Sequence, residues 1–415
     1  VALLTTLKSL NPAVKQNLVN LFIVAFLFWT SITSLLATLP LYVQAIGTTT
    51  EQIGIVMGSF AIGLLLSRTY LGRLADHRSR KLVLIIGAIV AATAPLGYLF
   101  FPSLPGLILT RAYHGISIAA FTTGYSSLTV DLSPAKNRGE IVGYMTLAMP
   151  IGMSIGPALG GFVQAEMGNT PLFLLATLTG VLSLLLTLRV KNAGVNNISP
   201  EKGESSQNLL QLFTSRGIGV FTLVLTLIGL IFGNLVAFVP LFISEELTGF
   251  NVGLFYTVIA IASFSARIFV GRRSDVYGRG LFISISLVFY ILSMVFLSMA
   301  SSPSILILAA IFEGAGAGVL IPMIITLTSD RCYPAQRGRV FALCLGGFDL
   351  GTAIAGPLFG AFAEELGYRG LFTASIFLAC LALLSFVTLS NKNFGSSFRF
   401  AFGQEKDLYA LTIKE

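Results

Sequence analysis

Of 415 residues, 55% are hydrophobic and only 11% charged, whereas a soluble domain carries about 25% charged residues. The net charge of +8 does not indicate a nucleic-acid partner, because the positive charge is spread over short loops and no soluble domain remains to hold a duplex. Three cysteines, Cys332, Cys344 and Cys380, lie in or beside apolar runs and show neither metal-ligand spacing nor a disulfide framework.

The apolar runs reach the ~20 residues that a membrane-crossing helix needs. They predict helices near 18–44, 53–75, 81–101, 105–131, 139–166 and 170–190, then near 217–244, 250–274, 281–300, 304–330, 338–365 and 370–390. The first run is too long for a signal-peptide core and lacks a small-residue cleavage site, so it is read as a span. This predicts an N-terminal segment 1–17, a six-helix bundle 18–190, a hydrophilic linker 191–216 rich in Asn, Gly, Ser, Lys and Glu, a second bundle 217–390 and a tail 391–415. Arg68, Arg111 and Arg267 fall within spans and Arg369 falls outside; every other one of the 26 Lys and Arg residues falls at the side carrying both termini and the linker. Positive residues mark the cytoplasmic side, so both termini, the linker and the tail are expected there, in a plasma (inner) membrane.

In chain order, the first conspicuous segment is the loop after the second span, Gly72-Arg73-Leu74-Ala75-Asp76-His77-Arg78-Ser79-Arg80-Lys81. Gly72 would let a neighbouring helix approach closely. Asp76, at a helix end, would accept hydrogen bonds from a facing helix N-terminus. In the fourth span Arg111, Gly115 and Ala119 share one helix face, beside His114. An arginine cannot shed its charge, so Arg111 must face a wet cavity or a partner, unless it snorkels to the nearby external boundary. In the fifth span Gly152, Gly156 and Gly160 make a smooth face, and Pro157 removes a backbone donor and predicts a bend. That combination suits a hinge; the alternative reading is a glycine-rich packing seam.

The second half repeats this layout about 200 residues later. Arg68, Gly72, Arg73, Asp76 and Arg80 recur as Arg267, Gly271, Arg272, Asp275 and Arg279, and Asp131 recurs as Asp330. Arg138-Gly139 recurs as Arg337-Gly338, Gly156-Pro157 as Gly356-Pro357 and Pro40 as Pro240. Repeated halves are a hallmark of secondary transporters. Arg68, Arg267, Asp131 and Asp330 read as gating charges by this symmetry. Acids deep in spans occur only in the second half, as Glu313 and Asp349, and an intramembrane carboxyl is a functional candidate by default. Competition between a proton and a cationic partner at such a group is one route from proton flow to conformational change; a permanent structural hydrogen bond is the alternative. Trp29, Thr33, Gln44 and Asn234 are further cavity candidates.

The loop Gly72–Lys81, with its weaker copy Gly271–Arg279, resembles the signature loop of the major facilitator superfamily, with Ser79 where that family usually has Gly. The Arg111 segment resembles the fourth-span motif of proton-coupled facilitators, with His114 where Gln is more usual. Gly152 to Gly160 resembles the fifth-span motif of twelve-span drug–proton antiporters. The resemblance runs from about residue 20 to 390. It implies an all-α membrane protein with twelve transmembrane helices in two pseudo-symmetric six-helix bundles. It implies a monomeric, proton-coupled exporter of small organic molecules working by alternating access. Its partners would be a small-molecule substrate, protons and the lipid bilayer, with no cofactor, no metal, no nucleic acid and no catalytic residue. On this reading Arg111 and His114 face Glu313 or Asp349, and Gly152, Gly156, Pro157, Gly160, Gly356 and Pro357 form the hinges. A sugar or organic-solute transporter working by uptake symport or efflux is the alternative. A non-transporting membrane receptor or assembly factor ranks below it. No nucleotide-binding loop or nucleophile constellation points to an enzyme.

Overall fold

A computed structural model describes residues 10–134, 138–191, 216–333 and 337–411. Among these residues the secondary structure is helical throughout. The first half contains α1 (Pro12–Ser34), α2 (Leu39–Ala45), α3 (Thr50–His77), α4 (Arg80–Phe100), α5 (Leu104–Leu132), α6 (Arg138–Met145), α7 (Ala148–Met167) and α8 (Asn169–Arg189). The second contains α9 (Arg216–Glu246), α10 (Val252–Tyr277), α11 (Arg279–Ser298), α12 (Pro303–Asp330), α13 (Arg337–Ala361), α14 (Ala363–Leu389) and α15 (Phe394–Ala401). A backbone in hydrocarbon must satisfy its own hydrogen bonds, and within one segment a helix does so.

Eleven of the spans are long and apolar enough to cross a membrane by composition alone. The fourth, α5, is not among them, because its 29 residues include Arg111, His114 and several hydroxyls. At about 1.5 Å per residue it is still long enough to cross, which completes twelve.

Helix ends follow ordinary capping chemistry. Asn11 accepts from the Ala13 amide at 3.0 Å ahead of Pro12, and Thr49 and Gln52 form a reciprocal capping box at the start of α3. The first span is broken before Pro40, whose twin Pro240 lies inside continuous α9. The fifth span is broken at Thr146–Leu147, because Pro150 cannot donate to the Thr146 carbonyl. Helix α7 then runs unbroken through Pro157, and α13 through Pro357. The last two spans join earlier than expected: α13 stops at Ala361, and the chain turns at Gly367 with φ 63°. Its first-half twin Gly168 turns with φ 87°, a backbone region that glycine enters freely.

By their contacts the residues form two compact units, 1–197 with 251–257, and 198–250 with 258–415. In the first unit α1 packs on α7 and α8, α5 packs on α3 and α4, and α4 packs on α8. In the second, α9 packs on α13 and α14, and α11 on α12 and α14. The pairing of spans is thus repeated. Leu174, Leu178, Leu182, Leu185 and Leu188 form an exposed apolar stripe down α8, the surface that lipid would cover.

Candidate functional site

Glycines set the geometry of the first unit. A Cβ at Gly115 of α5 would meet the Phe60 carbonyl, and one at Gly63 of α3 would meet the Ala112 carbonyl. The two backbones therefore approach closely, which lays Phe60 against the fourth-span motif. The Arg111 guanidinium sits 4.4 Å from the Phe60 ring centroid, a cation–π contact. The His114 ring meets Phe60 edge-on, and its Nδ1 lies 3.1 Å from the Tyr98 hydroxyl of α4. Arg111 also lies against that hydroxyl. Arg111 is 6% exposed and His114 0%, and Arg111 Nε and His114 Nε2 have no hydrogen-bond partner. No carboxylate pairs with Arg111 among the described residues.

The second unit carries an acid at the equivalent place. Glu313 stands 199 positions after His114, one residue before Gly314, whose Cβ would meet the Ile259 carbonyl of α10. Glu313 is 2% exposed and points to α11, where Ser293 hydrogen-bonds its carboxyl and Tyr290 lies nearby. The Ser293 hydroxyl donates to the Ala309 carbonyl at 3.0 Å. Glu313 Oε2 has no partner. Asp349 differs from it: it is half-buried on α13 and makes an interaction of its own.

The loop charges pair in a way that the repeat alone did not reveal. Arg80, the first residue of α4, forms an ion pair with Asp131 near the end of α5. Arg279, the first residue of α11, pairs with Asp330 at the end of α12. Each twin pair ties the start of one span to the end of the next within its own unit. Arg267 donates through Nε to the Gly318 carbonyl at 3.0 Å, and its twin Arg68 is half-buried on α3. The side chains of Asp76, Asp275, Arg337 and Gly338 lie outside the described residues. Inside their own units, a Cβ at Gly72 or Gly271 would meet nothing within 4 Å. Gly72 is half-buried on a side of α3 turned away from the contact that Leu71 and Ala75 make with α4 and α5, and Gly271 is exposed.

The fifth-span glycines form a seam against α1. A Cβ at Gly152 would lie 2.7 Å from that of Trp29, and Cβ atoms at Gly156 and Gly160 would meet the Thr33 hydroxyl and the Ser34 carbonyl. Thr33 donates to the Trp29 carbonyl of its own helix at 2.7 Å with the Gly152 carbonyl 3.2 Å from the same hydroxyl, so it belongs to this seam. In the second unit the seam between α9 and α13 uses Gly229 and Gly233 from one helix and Gly347 and Gly351 from the other. Gly356 is buried and Pro357 half-buried on α13. Asn234 sits in the α9–α14 contact, donating to the Leu371 carbonyl at 3.1 Å and to Ser375 Oγ at 2.8 Å.

Sequence reasoning missed Phe60, Tyr98, Tyr290 and Ser293, which are individually unremarkable span residues. It also missed that His114 and Glu313 hold equivalent positions, a signal present in their spacing.

The sequence matches the family model described as Major Facilitator Superfamily over residues 21–250 and 220–399. It is 27% identical over 385 residues to the multi-drug resistance efflux pump PmrA homolog of Lactococcus lactis subsp. lactis (strain IL1403), covering 90% of this chain and 95% of that protein. It is 24% identical over 365 residues to the quinolone resistance protein NorA of Staphylococcus aureus (strain MSSA476), covering 83% and 90%. Among solved structures, the nucleoside transporter NupG superposes with a TM-score of 0.73 at 17% identity, covering 92% of this chain and 98% of that one. A bacterial homolog of the human lysosomal transporter Spinster, inward-facing and unoccupied, superposes with a TM-score of 0.75 at 13% identity, covering 96% and 100%. The chain therefore belongs to the Major Facilitator Superfamily, a multi-pass membrane protein that is a secondary transporter of small molecules by alternating access and not an enzyme.

Proposed function

We propose that this transporter exports small organic, drug-like molecules from the cytoplasm in exchange for protons, as a monomer in the plasma membrane with both termini cytoplasmic. The observation that carries proton coupling is the setting of Glu313. A hydroxyl has one proton to give. Ser293 is the hydroxyl set against the Glu313 carboxyl, and it shares its single proton with the Ala309 carbonyl, so little in this surrounding compensates a charge on Glu313. With Oε2 lacking any partner, an ionised Glu313 would be a buried, uncompensated charge. Release of the proton therefore calls for a different surrounding, which ties protonation to conformation. Asp349 is the second candidate, and Arg111 with His114 would orient the coupling chemistry from the first bundle.

The outward direction is supported by the names of the efflux-pump relatives, matched over most of their length, and by the fifth-span glycine seam. The purified protein, reconstituted with a pH-sensitive dye inside the vesicles, would be screened with cationic and amphoteric drugs under an imposed proton gradient. Substrate-dependent proton movement is expected in the parent and in Asp349→Asn, and is expected to be lost in Glu313→Gln with substrate binding retained. Proton movement persisting in Glu313→Gln and lost in Asp349→Asn would transfer the role to Asp349. Substrate movement without any proton flux would make the protein a uniporter.

A further inference from the structure

The segment after the twelfth span, expected as a plain tail, is folded. Helix α15 is held on one face: Ser396, Ser397, Phe400 and Ala401 are buried against α11 and α14. Phe400 packs on Phe386, and the Ala401 carbonyl accepts from Ser284 of α11 at 2.9 Å. The chain beyond α15 is pinned as well. Arg331 bonds Asp407 at 2.7 Å, the Gly217 carbonyl at 2.6 Å and the Ser390 carbonyl at 2.7 Å, and its guanidinium lies over the rings of Phe221 and Tyr409. Helix α15 is thus fixed at the end of the second bundle where α11 begins and α14 ends.

Its other face presents Phe394, Phe398 and Phe402, one above the other at four-residue spacing and all exposed. Phe398 and Phe402 are 4.7 Å apart between ring centroids. Helix α14, on which α15 packs, is apolar on its outer face too. There Phe377, Leu381 and Leu384 line a shallow outward groove, and Leu389 at the end of α14 is exposed. Eight residues are far too short to cross a bilayer, so a helix here can only lie along its surface. The local charge has one sign available. Glu405 is taken by Arg399 and Asp407 by Arg331, whereas Lys392 and Lys406 are exposed and pair with no carboxylate among the described residues.

We infer that α15 is an interfacial helix. Its aromatic strip enters the leaflet on the side of the α11 N-terminus, and Lys392 and Lys406 hold anionic lipid headgroups. This rests on the chain being a membrane protein and is independent of the direction of transport or its coupling ion.

The chain has a single tryptophan, Trp29, so a Trp29→Phe/Phe398→Trp variant reports on α15 alone. The full-length variant would be reconstituted in phosphatidylcholine with phosphatidylglycerol, each in turn carrying bromine on the upper acyl chain. Thermal unfolding matching the parent would establish that the exposed Phe398 site tolerates the change; otherwise the same probe is placed at Phe394. Strong quenching by brominated lipid is expected, several-fold stronger from phosphatidylglycerol than from phosphatidylcholine, with that preference removed by Lys392→Gln/Lys406→Gln. Quenching by acrylamide without lipid quenching would place the strip in water or under a soluble partner and overturn the inference. Shielding from both quenchers that disappears on dilution of protein in the vesicles would overturn it in favour of a second copy. Equal quenching from the two lipids would refute the headgroup assignment.

Discussion

At the scale of single residues, the glycines of α7 and the twin ion pairs make different demands. A methyl at Gly160 would press on the Ser34 carbonyl, a backbone atom that cannot swing away, whereas a methyl at Gly143 would meet nothing within 4 Å. Gly160→Ala is expected to destabilise by about 1–3 kcal/mol through overpacking, and Gly143→Ala to leave packing unchanged. Thermal unfolding in detergent compares the two, and equal melting temperatures would remove the seam from the account. Arg80 and Asp131 are partly exposed, so their pairing should contribute no more than ~1 kcal/mol, read as the coupling energy of an Arg80→Ala/Asp131→Ala cycle. If these charges gate, transport should fall far more than stability in each single variant. A parallel fall in both would reduce the pair to a structural clamp. Both residues stood out in the sequence because they repeat; that they are each other's partners did not, since the pairing joins the first residue of one helix to the end of the next.

At the scale of elements, the spans were legible and their breaks only partly so. Both Pro150 and Pro157 lack the donor that a helix interior requires, yet only Pro150 interrupts the fifth span. At Pro157 the helix is clamped by its glycine face on α1, whereas Thr146 and Leu147 take up tight local bonds to Gly143 and Tyr144 that absorb the lost turn. The segment after α14 was the larger surprise, because eight residues with scattered serines carry little of the apolar signal that marks a span. Its anchor is Arg331, whose side chain is 1% exposed beside an Asp407 at 8%. Removing one member of a buried pair strands the other, so Arg331→Ala is expected to cost about 3–5 kcal/mol. It is also expected to free the chain beyond Ser390 for proteolysis, which limited digestion followed by mass spectrometry checks. Unchanged resistance in that variant would mean that α15 is held by its apolar face alone.

At the scale of the whole molecule, the two units repeat their main helix pairings, with residues 251–257 counted into the first, and α5 and α12 each pack within one unit. A protease site placed between Asn197 and Ile198 and cleaved in the membrane should leave hydrogen-exchange protection of α5 and α12 intact. A general loss of protection on cleavage would mean that the contact boundary does not separate independent folding units. The number of spans, their internal duplication, the positions of the intramembrane charges and the motif residues were all readable in one dimension. Apolar length and the demand of the backbone for internal hydrogen bonds in lipid are local properties that composition reports directly. What only the tertiary structure decided is which face each polar side chain turns and what it meets there. Asn234, a plausible cavity residue, is joined to Ser375 across the α9–α14 seam, and Glu313 meets Ser293 rather than standing open. The rotation of each helix about its axis is chosen by where glycines let backbones touch, as Gly115 does on Phe60 and Gly314 on Ile259. That choice belongs to pairs of helices, and no single span encodes it.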